Sequence, residues 1–169
     1  MKVLIISDSH GLTNELLEIK ERHKNDVEFM LHLGDSELSS QSEEMSGFSA
    51  VRGNCDFDSN YPNDMVVLLN GIKVYLTHGH LYNVKMTLMN LKYRAQEVGA
   101  SIACFGHSHI AGAEMVEDIL FINPGSFRLP RMRKEKTYVI LEIADNQANV
   151  VFYDSEGNVI EELSTKVIL

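Results

Sequence analysis

The stretch Cys104-Phe105-Gly106-His107-Ser108-His109 (CFGHSH) ends an apolar run, Ile102 to Phe105, with a glycine and two histidines one residue apart. An apolar run cut off in this way reads as a strand buried on both faces, with polar side chains emerging at its end. Working outward, the pattern recurs. Val3 to Ile6 lead into Ser7-Asp8-Ser9-His10, "VEFMLHLGD" (27–35) ends in Gly34-Asp35, and "SAVRGNCD" (49–56) ends in Gly53-Asn54. "DMVVLLNGIKVYLTHGH" (64–80) reads as a hairpin turning at Asn70-Gly71, and its second arm ends at Thr77-His78. In α/β sheets functional groups gather beyond the carboxyl ends of strands, so Asp8, His10, Asp35, Asn54, His78, His107 and His109 can converge although they are scattered along the chain.

Helical periodicity fills the gaps between these strands. Thr13 is placed to cap a first helix with Leu16, Leu17 and Ile19 on its inner side. Leu81, Val84, Leu88, Leu91, Ala95 and Val98 follow one helical face, which predicts a long helix stopped by Gly99. Met86, Met89 and Tyr93 lie off that stripe, as a wider buried face or a subunit contact. Two further hairpins are expected near Glu117-Asp118 and Asp145-Asn146, then a last strand or packing tail. The polar stretch Ser36 to Ser49 reads as a loop or a short exposed helix.

The chain has 169 residues and is expected to form one domain, residues 1–169, of a size that needs no disulfides. Its two cysteines, Cys55 and Cys104, fit no disulfide or zinc-finger spacing, and reduced thiols in the cytoplasm are the simpler reading. No apolar stretch approaches a membrane span, and the N-terminal run is too short for a signal peptide, so a soluble cytoplasmic protein without a membrane partner is expected. A formal net charge of −9 argues against a nucleic-acid partner but not against a small phosphorylated substrate.

The donor types point to an occupant. Two carboxylates, four imidazoles and an amide oxygen suit Mn²⁺, Fe²⁺, Ni²⁺ or Zn²⁺ better than Ca²⁺ or a thiolate cluster. Seven donors exceed what one ion usually takes from protein, and two ions sharing a carboxylate would account for the count.

The ordered set Asp8-x-His10, Gly34-Asp35, Gly53-Asn54, His78 and Gly106-His107-x-His109 resembles the calcineurin-like metallophosphoesterase superfamily. "GNCD" and the turn "NPGS" (123–126) look like its small YfcE-type phosphodiesterase branch. The resemblance spans residue 2 to about residue 145. It implies an α/β fold, a four-layer α/β/β/α sandwich of two mixed sheets flanked by helices. It also implies two divalent ions, Mn²⁺ first among them: Asp8, His10 and His109 on one, Asn54, His78 and His107 on the other, and Asp35 bridging. The implied activity is hydrolysis of phosphate diesters by a metal-activated water, and the resemblance is compatible with a homodimer. Two alternatives stand beside it: a phosphomonoesterase acting on a small metabolite, and an interaction scaffold such as the retromer subunit of this fold.

One position departs from the superfamily pattern. Many members have a histidine after the asparagine, as leaving-group acid, where this chain has Cys55. A thiol is the poorer acid, which predicts a preference for substrates with good leaving groups. Asn54, Cys55 and His80 are therefore the candidates for direct action on substrate. His80 either faces the substrate or caps the predicted long helix. Asp56 either orients a metal-bound histidine or caps a turn. His32 is expected to be packed and hydrogen-bonded, and His23 to be solvated. "NPGS" reads as an architectural turn, with Asn123 as buttress of the ligands the alternative. Arg52 and the segment Arg128, Arg131, Arg133, Lys134 and Lys136 read as solvated charge or as a phosphate-receiving patch.

Overall fold

The computed structural model describes all residues, 1–169. Apolar runs alternate between two destinations. In β1 (Lys2–Ile6), Val3 and Ile5 point to one core, while Leu4 and Ile6 point to another. Such a strand must be covered on both faces, and each fully buried Leu, Ile or Val contributes roughly 1.5–3 kcal/mol. One sheet runs β11-β10-β9-β1-β2-β3 and the other β4-β5-β6-β8-β7. Here β2 is Phe29–His32, β3 Phe48–Ala50, β4 Asp64–Leu69, β5 Ile72–Thr77, β6 Ile102–Cys104 and β7 Gly112–Val116. The last four are β8 (Ile119–Asn123), β9 (Thr137–Ala144), β10 (Gln147–Asp154) and β11 (Thr165–Ile168). Both sheets mix parallel and antiparallel pairs.

The sheets face each other over a shared core in which Val3, Ile5, Leu31 and Val139 meet Leu76, Cys104 and Ile122. The helix α1 (Asn14–His23) lays Leu16 and Ile19 on Leu4 and Ile6, outside the first sheet. The helix α2 (Met89–Val98) lays Leu91 and Ala95 on Tyr75, Ala103 and Phe121, outside the second. The result is the α/β/β/α sandwich. No helix is long and apolar enough to cross a membrane.

Register brings the strand ends level. Ile6 pairs with His32 and His32 with Ala50, so the segments carrying Asp8, Asp35 and Asn54 leave the first sheet together. Leu76 pairs with Cys104 and Cys104 with Ile122, so those carrying His78, His107 and Asn123 leave the second sheet together.

The hairpins turn where the Asn-Gly, Glu-Asp and Asp-Asn pairs predict. Asn70, Gly71, Glu117, Asp145 and Asn146 all adopt positive φ. The stretch 36–49 has no helix, being loop as far as residue 47 and then entering β3, and the C-terminal segment adds β11. Three local expectations fail. The helix predicted from Leu81 begins only at Met89, after one 3-10 turn over His80–Tyr82. Asn83 is left-handed (φ 55°) and ends that turn, Leu81 is exposed, and Val84 packs against Gly79 rather than on a helix face. Thr13 precedes α1 but its hydroxyl makes no capping bond. His23 is not solvated, because its Nε2 lies 2.9 Å from the Tyr138 hydroxyl.

Candidate metal centre

The chain bends sharply at each strand end. Asp8, His10, Asp35, His107 and His109 all have positive φ, between 41° and 66°. Non-glycine residues enter this region at a cost of order 1–3 kcal/mol each. Outside tight turns such strain persists only where the surroundings fix the residue, and here it falls on predicted ligands. The neighbouring glycines are required by space. A Cβ on Gly106 would collide with Ser7 Oγ and Asp8 Oδ2, and one on Gly53 with the Asp35 carboxylate. One on Gly34 would meet the His78 ring at 2.7 Å.

The side chains meet lone pair to lone pair. His109 Nδ1 lies 2.7 Å from the Leu129 carbonyl, and His78 Nδ1 lies 2.7 Å from the Leu33 carbonyl. Each Nδ1 must therefore carry the proton, which turns a bare Nε2 into the site. His109 Nε2 is 3.1 Å from Asp8 Oδ1 and 3.3 Å from His10 Nε2. His78 Nε2 is 3.1 Å from Asn54 Oδ1, 3.3 Å from Asp35 Oδ2 and 3.8 Å from Asp8 Oδ1. Asp8 is fully buried, and its Oδ1 accepts no hydrogen bond. A buried carboxylate oxygen without a donor costs several kcal/mol unless a cation stands by. The donor chemistry fits divalent metal.

Asp8, His10 and His109 form one set of donors within 4.8 Å of each other, and Asp8, Asp35 and His78 a second. A third, not anticipated from sequence, is His10, Asp35 and Cys55. His107 joins none of them. Its ring centroid is 5.1 Å from that of His78, and its backbone N–H donates to Asp8 Oδ2 at 3.1 Å. His80 makes no capping bond. Its ring sits 5.4 Å from His78 and 6.1 Å from His107, with a buried, unpartnered Nδ1, so it faces the centre.

The same geometry shifts the titrations. Burial opposes charge on Asp8 and Asp35, but imidazoles outweigh it and hold both carboxyls low: His109 and His78 for Asp8, and chiefly His78 for Asp35. Asp8 raises the pKa of His109. Burial resists charge on His78, yet Asp35 and Asp8 raise it. Burial and the nearby His78 push His107 down to about 4, which keeps its ring neutral. Burial and Asp35 push the Cys55 thiol up to about 11.

A frame of hydrogen bonds holds the donors. The buried Asp56 accepts the backbone N–H groups of Asp35 (2.8 Å), Gly53 (2.7 Å) and Glu37 (2.8 Å), so it ties two ligand loops together rather than orienting a histidine. His32 is packed as expected, with Nδ1 accepting from Gly34 N–H and Nε2–H donating to Ser9. "NPGS" does more than turn the chain. Asn123 Nδ2 donates to the Gly106 carbonyl (3.2 Å) and the Ser108 hydroxyl (2.9 Å), and Ser126 donates to the Asp8 carbonyl (2.7 Å). Sequence reasoning missed Glu37, whose carboxylate accepts from His10 Nδ1 at 3.1 Å and turns its Nε2 inward. It also missed Ser7, whose hydroxyl donates to Asp8 Oδ2 at 2.5 Å.

The basic residues divide. Arg52 donates to the Asp56 carbonyl, Arg128 to the His10 carbonyl, and Arg133 pairs with Glu135 and Glu162. Lys134 and Lys136 are exposed. Arg131 lines a cavity of about 440 Å³ beside the His107–His109 loop, with Lys85 and the apolar Val84, Leu88, Phe105 and Phe121.

Carboxylate and imidazole donors at the strand ends of such a sandwich are the arrangement of a metallophosphoesterase domain, and residues 1–146 match the Calcineurin-like phosphoesterase superfamily domain; the chain belongs to that superfamily. It is 48% identical over 169 residues, all of both chains, to a Bacillus subtilis (strain 168) protein named "Probable metallophosphoesterase YsnB". The crystal structure of a predicted phosphoesterase from Streptococcus pneumoniae TIGR4 superimposes with a TM-score of 0.94 at 36% identity, covering 99% of this chain and 97% of that one. "Phosphodiesterase YfcE" of Escherichia coli (strain K12) is 26% identical over 192 residues, 97% of this chain and 98% of that one.

Proposed function

We propose that this chain hydrolyses phosphate diesters with two divalent metal ions, Mn²⁺ foremost. Asp8, His10 and His109 would hold one ion, Asn54, His78 and His107 the other, and Asp35 would contribute to both. When bound, the ions would supply Lewis acidity to the phosphoryl oxygens and lower the pKa of attacking water. The observation that carries the reading is Asp8 Oδ1, buried, without a donor and 3.1 Å from a bare imidazole nitrogen.

The chain's own groups set the rest. Leu33, Leu129 and Glu37 fix the tautomers of His78, His109 and His10, so the inward Nε2 of each of these three is a lone pair when its ring is neutral. The His80 ring stands beside those of His78 and His107, with its Nδ1 buried and unpartnered. The Cys55 thiol, held neutral, gives a departing oxygen a weak proton donor. Two observations favour a diester over a monoester. Arg52, Arg128 and Arg133 are already engaged by protein oxygens, which leaves little dedicated charge for a terminal phosphate dianion. The half-apolar cavity beside Ser108, with Lys85 and Arg131 on its wall, offers room for a second ester group.

The test is a panel of phosphomonoesters and phosphodiesters assayed on metal-stripped protein, with one divalent ion restored at a time. Ion-dependent cleavage of diesters but not monoesters supports the reading. A preference for monoesters overturns the substrate assignment.

A further inference from the structure

We propose that Cys55 is a ligand for soft cations: with His10 and Asp35 it forms a donor set that takes Zn²⁺, Cd²⁺ or Co²⁺ and does not serve Mn²⁺ or Mg²⁺. The proposal deepens the metal-centre reading above, because it shares His10 and Asp35 with it. Superfamily pattern and acid chemistry assign Cys55 only to the leaving group. Its position says more.

Cys55 Sγ, a ring nitrogen of His10 and a carboxylate oxygen of Asp35 all lie within 4.8 Å of one another. Donors on one tetrahedral ion with ordinary Zn–S and Zn–N bonds sit roughly 3.3–3.8 Å apart. Cys55 is exposed, and rotation about its Cα–Cβ bond closes the difference. Its backbone is anchored, since Cys55 N–H donates to Asp35 Oδ1 at 2.8 Å, so Sγ stays on the rim of the centre. His10 is pre-oriented by Glu37, with Nε2 inward. A second feature draws a cation to the same place: the donorless, fully buried Asp8 Oδ1 lies 3.8 Å from His10 Nε2.

Softness decides which ion uses the thiol. A thiolate prefers Zn²⁺, Cd²⁺ and Co²⁺, whereas Mn²⁺ and Mg²⁺ prefer the oxygen and imidazole donors. As the sulfur–metal bond forms, the S–H bond breaks and one proton leaves to solvent for each ion bound. A soft ion seated here engages His10 and Asp35, and so competes with the ions proposed for hydrolysis. Cys55 thereby makes the centre selective: soft ions inhibit where Mn²⁺ sustains turnover.

The experiment titrates Co²⁺ and Cd²⁺ into the metal-stripped, full-length chain. Co²⁺ is expected to give its d–d absorption together with a near-ultraviolet thiolate-to-cobalt charge-transfer band. That band is kept in Cys104→Ala and lost in both Cys55→Ser and Cys55→Ala. Cd²⁺ affinity should fall by about 10- to 100-fold or more in the Cys55 variants, with Mn²⁺ affinity unchanged. Co²⁺ d–d absorption without a charge-transfer band overturns the thiolate ligand while leaving the metal centre standing. A band that survives in the Cys55 variants also overturns it. Absence of any Co²⁺ absorption overturns both.

Discussion

Asp56 and Asp35 are joined by a hydrogen bond from the Asp35 backbone N–H to Asp56 Oδ2, 2.8 Å long and buried. The same oxygen accepts the Gly53 N–H at 2.7 Å, so one carboxylate sets the spacing between the Asp35 loop and the Asn54 loop. In Asp56→Ala these N–H groups and that of Glu37 lose their acceptor. Each stranded donor costs about 1–3 kcal/mol, and a loss on the order of 3 kcal/mol is expected by urea unfolding in chelator. Metal affinity should fall about 10- to 100-fold, because the loops carrying Asp35 and Asn54 are no longer held. Unchanged metal affinity would mean that Asp56 serves the turn alone.

Gly106 is fixed by space and not by backbone angle, so alanine there tests the packing directly. Its Cβ would strike Ser7 Oγ and Asp8 Oδ2. Gly106→Ala should displace Asp8 and lower activity by about 100-fold, of the order that a 1 Å misplacement of reacting groups produces. Gly112, with nothing within 4 Å of an added Cβ, is the packing control, and Gly112→Ala should keep the parent's metal affinity while Gly106→Ala loses it. Equal metal affinity in the two variants contradicts the account.

His32 makes stability fall in mild acid. Burial is the main cause that holds its pKa down to about 4, against an ordinary 6.5. Below pH 6.5 the unfolded chain takes up a proton at His32 that the folded chain refuses. Stability from this group is thus complete above pH 6.5, declines by about 1.4 kcal/mol per pH unit below it, and levels off near pH 4. The total is roughly 3 kcal/mol. His32→Leu should be less stable at neutral pH, since Ser9 and the Gly34 N–H lose their partner, but should show a shallower decline between pH 6.5 and 4. An unaltered slope would assign the acid sensitivity elsewhere.

The thiol at position 55 has its pKa pushed up to about 11, first by partial desolvation at the rim of the site and then by Asp35, so it is a poor acid near neutrality. Cys55→His should speed the cleavage of diesters with poor leaving groups most, within the 100- to 10,000-fold range of general acid catalysis. Rates across aryl diesters of graded leaving-group pKa would then depend less steeply on that pKa than in the parent. No gain on any substrate would remove leaving-group protonation from this position.

Much of the site was legible because strand ends advertise themselves: Ile102 to Phe105 and Val3 to Ile6 are apolar runs that stop abruptly at a donor. That these strands pack on both faces could be anticipated from the same runs, since a strand apolar at every position must be covered twice. The helix boundary at Leu81 was not legible. The spacing of Leu81, Val84 and Leu88 fits a helix, but the left-handed Asn83 and the clamp of Val84 on Gly79 are tertiary facts that periodicity does not carry. Glu37 stayed hidden in a polar loop whose composition suggested solvent, and its link to His10 exists only after the two loops meet. His23 was misread for the same reason, because its partner Tyr138 comes from β9, distant in the chain but on the face that α1 covers. Asn123 looked like a turn residue and proved to be one that also braces the Gly106 loop.

The most direct test of the central claim is to count metal and activity together: strip the chain, restore Mn²⁺ in steps, and follow bound metal per chain and diester hydrolysis in the parent and in Asp35→Asn. Two ions per chain, with activity rising as the second binds and both lost or severely weakened in Asp35→Asn, is the expected result. Diester hydrolysis that proceeds equally with and without metal, or a parent chain that binds none, would contradict it.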